Sequence, residues 1–158
     1  MVIRWCRIED QTPHEAGSAL LASAYRELTG EALPQVARTE RGKPYIPGSP
    51  VHFSISHTRR HAFVAFSDRP IGIDGEETDR AVNPKLAEKV LSATEFAQYT
   101  QAADKNRALL TFWVLKEAAA KCSGEGLRGY PNHTNFSLSD PRVVELDGCL
   151  CAVIEEEI

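Results

Sequence analysis

The stretch Ile71-Gly72-Ile73-Asp74-Gly75-Glu76 constrains the fold more than any other part of the chain. Its apolar residues alternate as in a half-buried strand, and residues two apart in a strand face the same side. Asp74 and Glu76 therefore share a face. Neighbouring like charges there cost stability unless a cation or charged partner compensates them. Magnesium is a natural compensator, because it takes oxygen ligands and commonly bridges carboxylates to phosphates. The plainer alternative is a strand end entering solvent through Glu77, Thr78 and Asp79. Gly72 and Gly75 weaken the strand but let another group approach its backbone.

Around this strand the pattern reads as α+β. Thr12 caps a first helix, with Pro13 in its first turn, Glu15 completing a capping box and Gly30 closing the end. A loop through Arg41-Gly42-Lys43-Pro44 follows. Residues 51–56, 62–67 and 71–76 then read as a three-strand meander. Asn83-Pro84 opens a short helix, Ser92-Ala93-Thr94-Glu95 is a second capping box, and a longer helix runs from near Asp104 to Cys122. Short strands are expected at 134–138, 142–146 and 149–154, the last two joined by a turn at Asp147-Gly148. Helix followed by three strands in each half predicts a pseudo-duplicated α+β domain spanning 1–158, with halves of about 1–80 and 81–158.

A chain of 158 residues fits one compact domain. It has no apolar run of bilayer length and no signal-peptide pattern, so a cytoplasmic protein with no membrane partner is expected. Cys6, Cys122, Cys149 and Cys151 lack zinc spacing and read as reduced, buried thiols. A net charge of −4 argues against a nucleic-acid partner. The basic residues Arg38, Arg41, Lys43, Arg59 and Arg60 nevertheless crowd the first half and could steer an anion locally.

The predicted long helix carries Trp113, Glu117 and Lys121 four apart, on one stripe. On local grounds Glu117 and Lys121 are an ordinary ion pair; beside Trp113 and a run of alanines they can instead lie in a packed interface. Ser54-Ile55-Ser56-His57 has no nucleophile-elbow context, and Ser56 and His57 point to opposite faces of a regular strand, so hydrogen bonding to an anion suits them better than hydrolase chemistry. No Walker A loop or dinucleotide fingerprint occurs.

In combination and order, Gly42-Lys43-Pro44, Phe53-Ser54-Ile55-Ser56-His57, Ile71-Gly72-Ile73-Asp74-Gly75-Glu76 and Trp113-Val114-Leu115-Lys116-Glu117-Ala118-Ala119-Ala120-Lys121 resemble the motifs of 4′-phosphopantetheinyl transferases of the surfactin-synthetase-activating type. The resemblance implies that Asp74, Glu76 and Glu117 bind Mg²⁺ together with the coenzyme A diphosphate. It implies that Lys43, Ser56, His57 and Lys121 contact the coenzyme's phosphates, with Glu117, Lys121 and His57 as the catalytic set. Glu117 is the candidate general base and Lys121 the group stabilising charge on the transferring phosphoryl. Glu95 matches an acidic position of the family, although its capping role accounts for it equally well. Residues 15–21 lack the basic side chains the family uses on coenzyme A, and Arg38 or Arg41 are candidate substitutes.

The implied reaction moves the phosphopantetheine arm of coenzyme A onto a serine of an apo acyl or peptidyl carrier protein, with a monomer sufficient to form the site. Arg59, Arg60, Lys85 and Lys89 are candidate carrier contacts, or simply solvated surface. Two alternatives stay open: a catalytically degenerate protein that binds coenzyme A or a carrier, and a different Mg²⁺-dependent phosphate-transfer or hydrolysis enzyme using the same carboxylates.

Overall fold

A computed structural model describes residues 1–126 and 135–157. In chain order the elements are β1 (Val2–Arg7), α1 (Pro13–Thr29), β2 (Ala37–Arg38), β3 (Pro44–Tyr45), β4 (His52–His57), β5 (His61–Ser67) and β6 (Ile71–Glu77). There follow a 3-10 turn (Pro84–Leu86), α2 (Ala87–Val90), α3 (Ala93–Gln101), α4 (Lys105–Ser123), β7 (Val143–Leu146) and β8 (Cys149–Glu155). The mixed α and β character with small antiparallel sheets is as the sequence predicts.

Two three-stranded sheets form, ordered β1-β5-β4 and β6-β8-β7, with β2 and β3 as a separate small hairpin. The layers follow from side-chain alternation. Leu21, Ala24 and Tyr25 of α1 pack on Val64 and Phe66 of β5. The other face of β5, Phe63 and Ala65, meets Ile71, Ile73, Cys151 and Val153 of the second sheet. Leu150, Ala152 and Ile154, on the far face of β8, pack with Leu115, Ala118 and Cys122 of α4. Helix, sheet, sheet and helix thus stack, and β5 and β8 are covered on both faces. The wholly buried Phe53, Phe63 and Phe66 each contribute about 1.5–3 kcal/mol of burial energy.

Local signals place the helices. Thr12 accepts from the Glu15 amide at 3.3 Å while Glu15 accepts from the Thr12 amide at 2.9 Å, and α1 ends on Gly30 at φ 77°. Ser92 and Glu95 make the same reciprocal cap on α3, and Gly124 at φ 75° ends α4. Asp147 and Gly148, at φ 48° and 76°, form the expected tight turn. Arg7 of β1 and His61 of β5 both bond the Asp147 carboxylate, at 2.6 and 2.8 Å, fastening that turn to the first sheet.

Three expectations change. The meander is two strands, not three: β6 leaves the first sheet and pairs with β8. Its free edge lies beside β4, where no backbone ladder forms. Instead Ser54 Oγ accepts from Ile73 N at 3.1 Å and Ser56 Oγ from Gly75 N at 3.2 Å. Buried amides need a partner, and two serine hydroxyls supply it along a parallel seam. Residues 135–138 form no strand, held instead by side chains of α3: Gln98 bonds Phe136 O and Leu138 N, and position 134 lies outside the described residues. Finally, β1 was not anticipated, nor was the β2–β3 hairpin inside the predicted loop. No described helix is long and apolar enough to cross a membrane.

Candidate active site

Gly72 decides where α4 lies. A Cβ at Gly72 would stand 1.9 Å from Ala118 O and 2.5 Å from Cys122 N, so the helix backbone rests directly on β6. Even-numbered residues of β6 face α4, which brings Asp74 and Glu76 under the next two turns of the helix. Odd-numbered Gly75 faces the first sheet instead, against the Phe63 ring.

Lys121 spans the junction. Its ammonium donates to Asp74 Oδ1 at 2.8 Å, Ile73 O at 3.1 Å and Ile55 O at 3.4 Å, joining α4, β6 and β4 with all three N–H bonds. Ser56 also donates to Asp74 Oδ1, at 2.9 Å. The other oxygen, Oδ2, is buried with no hydrogen-bond partner among the described residues. Such an orphaned carboxylate oxygen is costly unless a cation or donor reaches it.

Glu76 pairs with Arg80. Burial pushes the Glu76 carboxyl up, with Asp74 adding to the effect, while Arg80 and the Trp113 side chain oppose it. Glu117 is likewise raised, first by burial and then by Asp74, against the pull of Lys121. The three carboxylates therefore feel one another. Among the described residues, however, no three acidic, histidine or cysteine groups converge into a ready-made metal cage.

Beside Glu117 and Lys121 opens a cleft of about 630 Å³, lined from α1, the β2–β3 hairpin, β4 and α4. Arg38, Arg41, Lys43, His57, Glu117 and Lys121 all line it, so six residues chosen from the sequence meet in one place. Ser56 and Asp74 lie directly behind Lys121, and His57 is exposed at the end of β4 with Ser56 buried on the opposite face. Lys43 bonds the Cys122 carbonyl at the end of α4, and burial lowers its pKa. Glu95 does not reach the cleft. It is fully buried, accepting from Lys116 at 2.8 Å, Ser92 N at 2.8 Å and Phe136 N at 2.9 Å.

Sequence reasoning missed Arg80 and the cleft-lining His14 and Ser18. Arg80 stands four residues after Glu76, but beyond a strand end that spacing carries no fixed geometry. His14 and Ser18 are also four apart, on α1, and their shared helical face was the available signal.

The fold and site define an α+β protein whose cleft is lined by cations and Glu117, with the buried Asp74 carboxylate behind Lys121. Residues 70–148 match the family model of the 4′-phosphopantetheinyl transferase superfamily, and the chain belongs to that superfamily. It is 36% identical over 91 residues to the 4′-phosphopantetheinyl transferase of Bacillus subtilis, covering 56% of this chain and 40% of that protein. It is 30% identical over 122 residues to 4′-phosphopantetheinyl transferase gsp of Aneurinibacillus migulanus, covering 66% and 50%. It is 32% identical over 116 residues to 4′-phosphopantetheinyl transferase psf-1 of Bacillus pumilus, covering 70% and 49%. The chain spans about half the length of the curated relatives it matches.

Proposed function

We propose that this protein transfers the 4′-phosphopantetheine arm of coenzyme A to a serine of an apo acyl or peptidyl carrier protein, with Mg²⁺ held by Asp74, Glu76 and Glu117. The observation that carries this reading is the buried Oδ2 of Asp74, without a hydrogen-bond partner among the described residues, behind Lys121, which lines a cleft with Arg38, Arg41, Lys43 and His57. An oxygen-rich pocket of that kind fits a hard divalent cation, and the cationic walls fit a polyanion.

When bound, Mg²⁺ would neutralise the diphosphate that otherwise repels an incoming oxygen nucleophile. The chain's own residues do the rest. His57 and Lys43 hold phosphate oxygens, Arg38 and Arg41 extend the positive wall, and Ser56, expected from the sequence to touch phosphate, instead orients the Asp74 carboxylate through its hydroxyl. Lys121 stabilises charge on the transferring phosphoryl. Glu117 accepts the proton of the carrier serine, directly or through water. The serine oxygen forms a bond to the phosphorus next to pantetheine, that phosphorus loses its bond to the oxygen bridging the two phosphates, and adenosine 3′,5′-bisphosphate leaves with the bridging oxygen and the electron pair.

The reading as two halves of a duplicated fold rests on each sheet having its own covering helix. One chain supplies both walls of the cleft, which supports a working monomer, and four free cysteines are compatible with the cytoplasm. The test is intact-mass analysis of a panel of apo-carriers incubated with the protein, coenzyme A and Mg²⁺. Gain of one phosphopantetheine arm on a serine supports the reading. No gain on any fatty-acid, polyketide or nonribosomal-peptide carrier favours a degenerate binder, and release of the arm into solution favours a hydrolase.

A further inference from the structure

Two of the three carboxylates assigned to the metal, Asp74 and Glu76, are already engaged by the chain's own cations. Lys121 holds Asp74 Oδ1, and Arg80 holds Glu76. Arg80 is fixed for that task, since its amide donates to Glu77 O at 3.0 Å and its carbonyl accepts from Asn106 of α4 at 2.9 Å. Its side chain is nonetheless 45% exposed, so an anion arriving in solution can reach it. The buried Oδ2 of Asp74 remains without a hydrogen-bond partner among the described residues.

We infer that Arg80 is an internal counter-ion that competes with the divalent cation for Glu76, making cation binding depend on the arrival of a diphosphate. Alone, a divalent ion must displace a guanidinium from Glu76 and then lie close to that released positive charge. A diphosphate changes the balance by giving Arg80 a new anionic partner, to which a guanidinium fork is well matched. Glu76 is then released to the metal. By linkage, the diphosphate raises metal affinity by the same factor that the metal raises diphosphate affinity. Arg80 acts through Glu76 and is a positioning residue. The inference rests on the metal reading given above.

The test measures free Mn²⁺ by electron paramagnetic resonance with wild type, Arg80→Gln, Arg80→Lys and Asp74→Asn, each with and without coenzyme A. Wild type is expected to bind Mn²⁺ about tenfold more tightly with coenzyme A than without it. Arg80→Gln should bind Mn²⁺ alone about tenfold more tightly than wild type, with a smaller gain from coenzyme A, and Arg80→Lys should return both values toward those of wild type. Merely damaging the fold does not raise affinity. Mn²⁺ binding in wild type that Arg80→Gln leaves unchanged would overturn the counter-ion role alone. Binding in no protein, or equal binding in Asp74→Asn, would overturn the metal reading and this inference with it.

Discussion

The ammonium of Lys121 and the carboxylate of Asp74 meet at 2.8 Å where α4 crosses β6, and the same ammonium reaches the carbonyl of Ile55 on β4. One side chain thus joins the second sheet's helix to the edges of both sheets. Lys121 is a staple of the fold as well as a cation facing the cleft.

Lys121→Met should therefore destabilise the protein, by about 2–3 kcal/mol. That is somewhat below the 3–5 kcal/mol seen on breaking a fully buried pair, since Lys121 remains about a third exposed. Adding Asp74→Asn should return part of the loss, because no charge is then left buried alone. A double-mutant cycle by urea unfolding checks both statements.

Gly72→Ala should be worse than its single methyl suggests. The new Cβ would meet Ala118 O at 1.9 Å, a backbone atom that cannot swing aside, so α4 must lift off β6. Overpacking of this kind costs about 1–3 kcal/mol or more. Urea unfolding should show the loss, and transfer should fall with it because Glu117 and Lys121 ride on the displaced helix.

How far the sequence revealed this arrangement depended on whether the signal was local. Thr12 with Glu15, Ser92 with Glu95, Gly30, Gly124 and the Asp147-Gly148 turn are each set by neighbours in sequence, and each appears where expected. Lys43, His57, Glu117 and Lys121 could be chosen from their ordered motifs, and all line one cleft. The sheet partner of β6 could not be read, because β8 lies far along the chain and no local signal marks so distant a pairing. Arg80 was hidden for a similar reason: a turn, not a helix, sets its distance from Glu76.

Glu117→Gln should stabilise the metal-free protein at neutral pH. Folding raises the Glu117 pKa through burial and through Asp74, so the ionised carboxylate disfavours the folded state. That penalty is absent below the unfolded pKa of about 4.3 and grows as pH rises through the higher folded value. Thermal melts in chelator should show the variant more stable at pH 8, with the gap closing toward pH 4. A constant gap would assign the effect to something other than charge.

Glu95→Ala separates a fold role from a site role. Glu95 and Lys116 are 0% and 1% exposed, and the glutamate also holds the Ser92 and Phe136 amides. Losing it leaves a buried ammonium without this partner and should cost about 3–5 kcal/mol. Coenzyme A affinity of the protein that remains folded, measured by calorimetry at low temperature, should stay near that of wild type.

The most direct test of the reaction centre is the rate of holo-carrier formation, by intact mass, for wild type and for Glu117→Gln with coenzyme A, Mg²⁺ and an accepted apo-carrier. Wild type should place the arm on the carrier serine, and the isosteric variant should remain folded yet lose about 10²–10⁴-fold in rate. A folded Glu117→Gln protein transferring at the wild-type rate would contradict a centre built where α4 crosses β6.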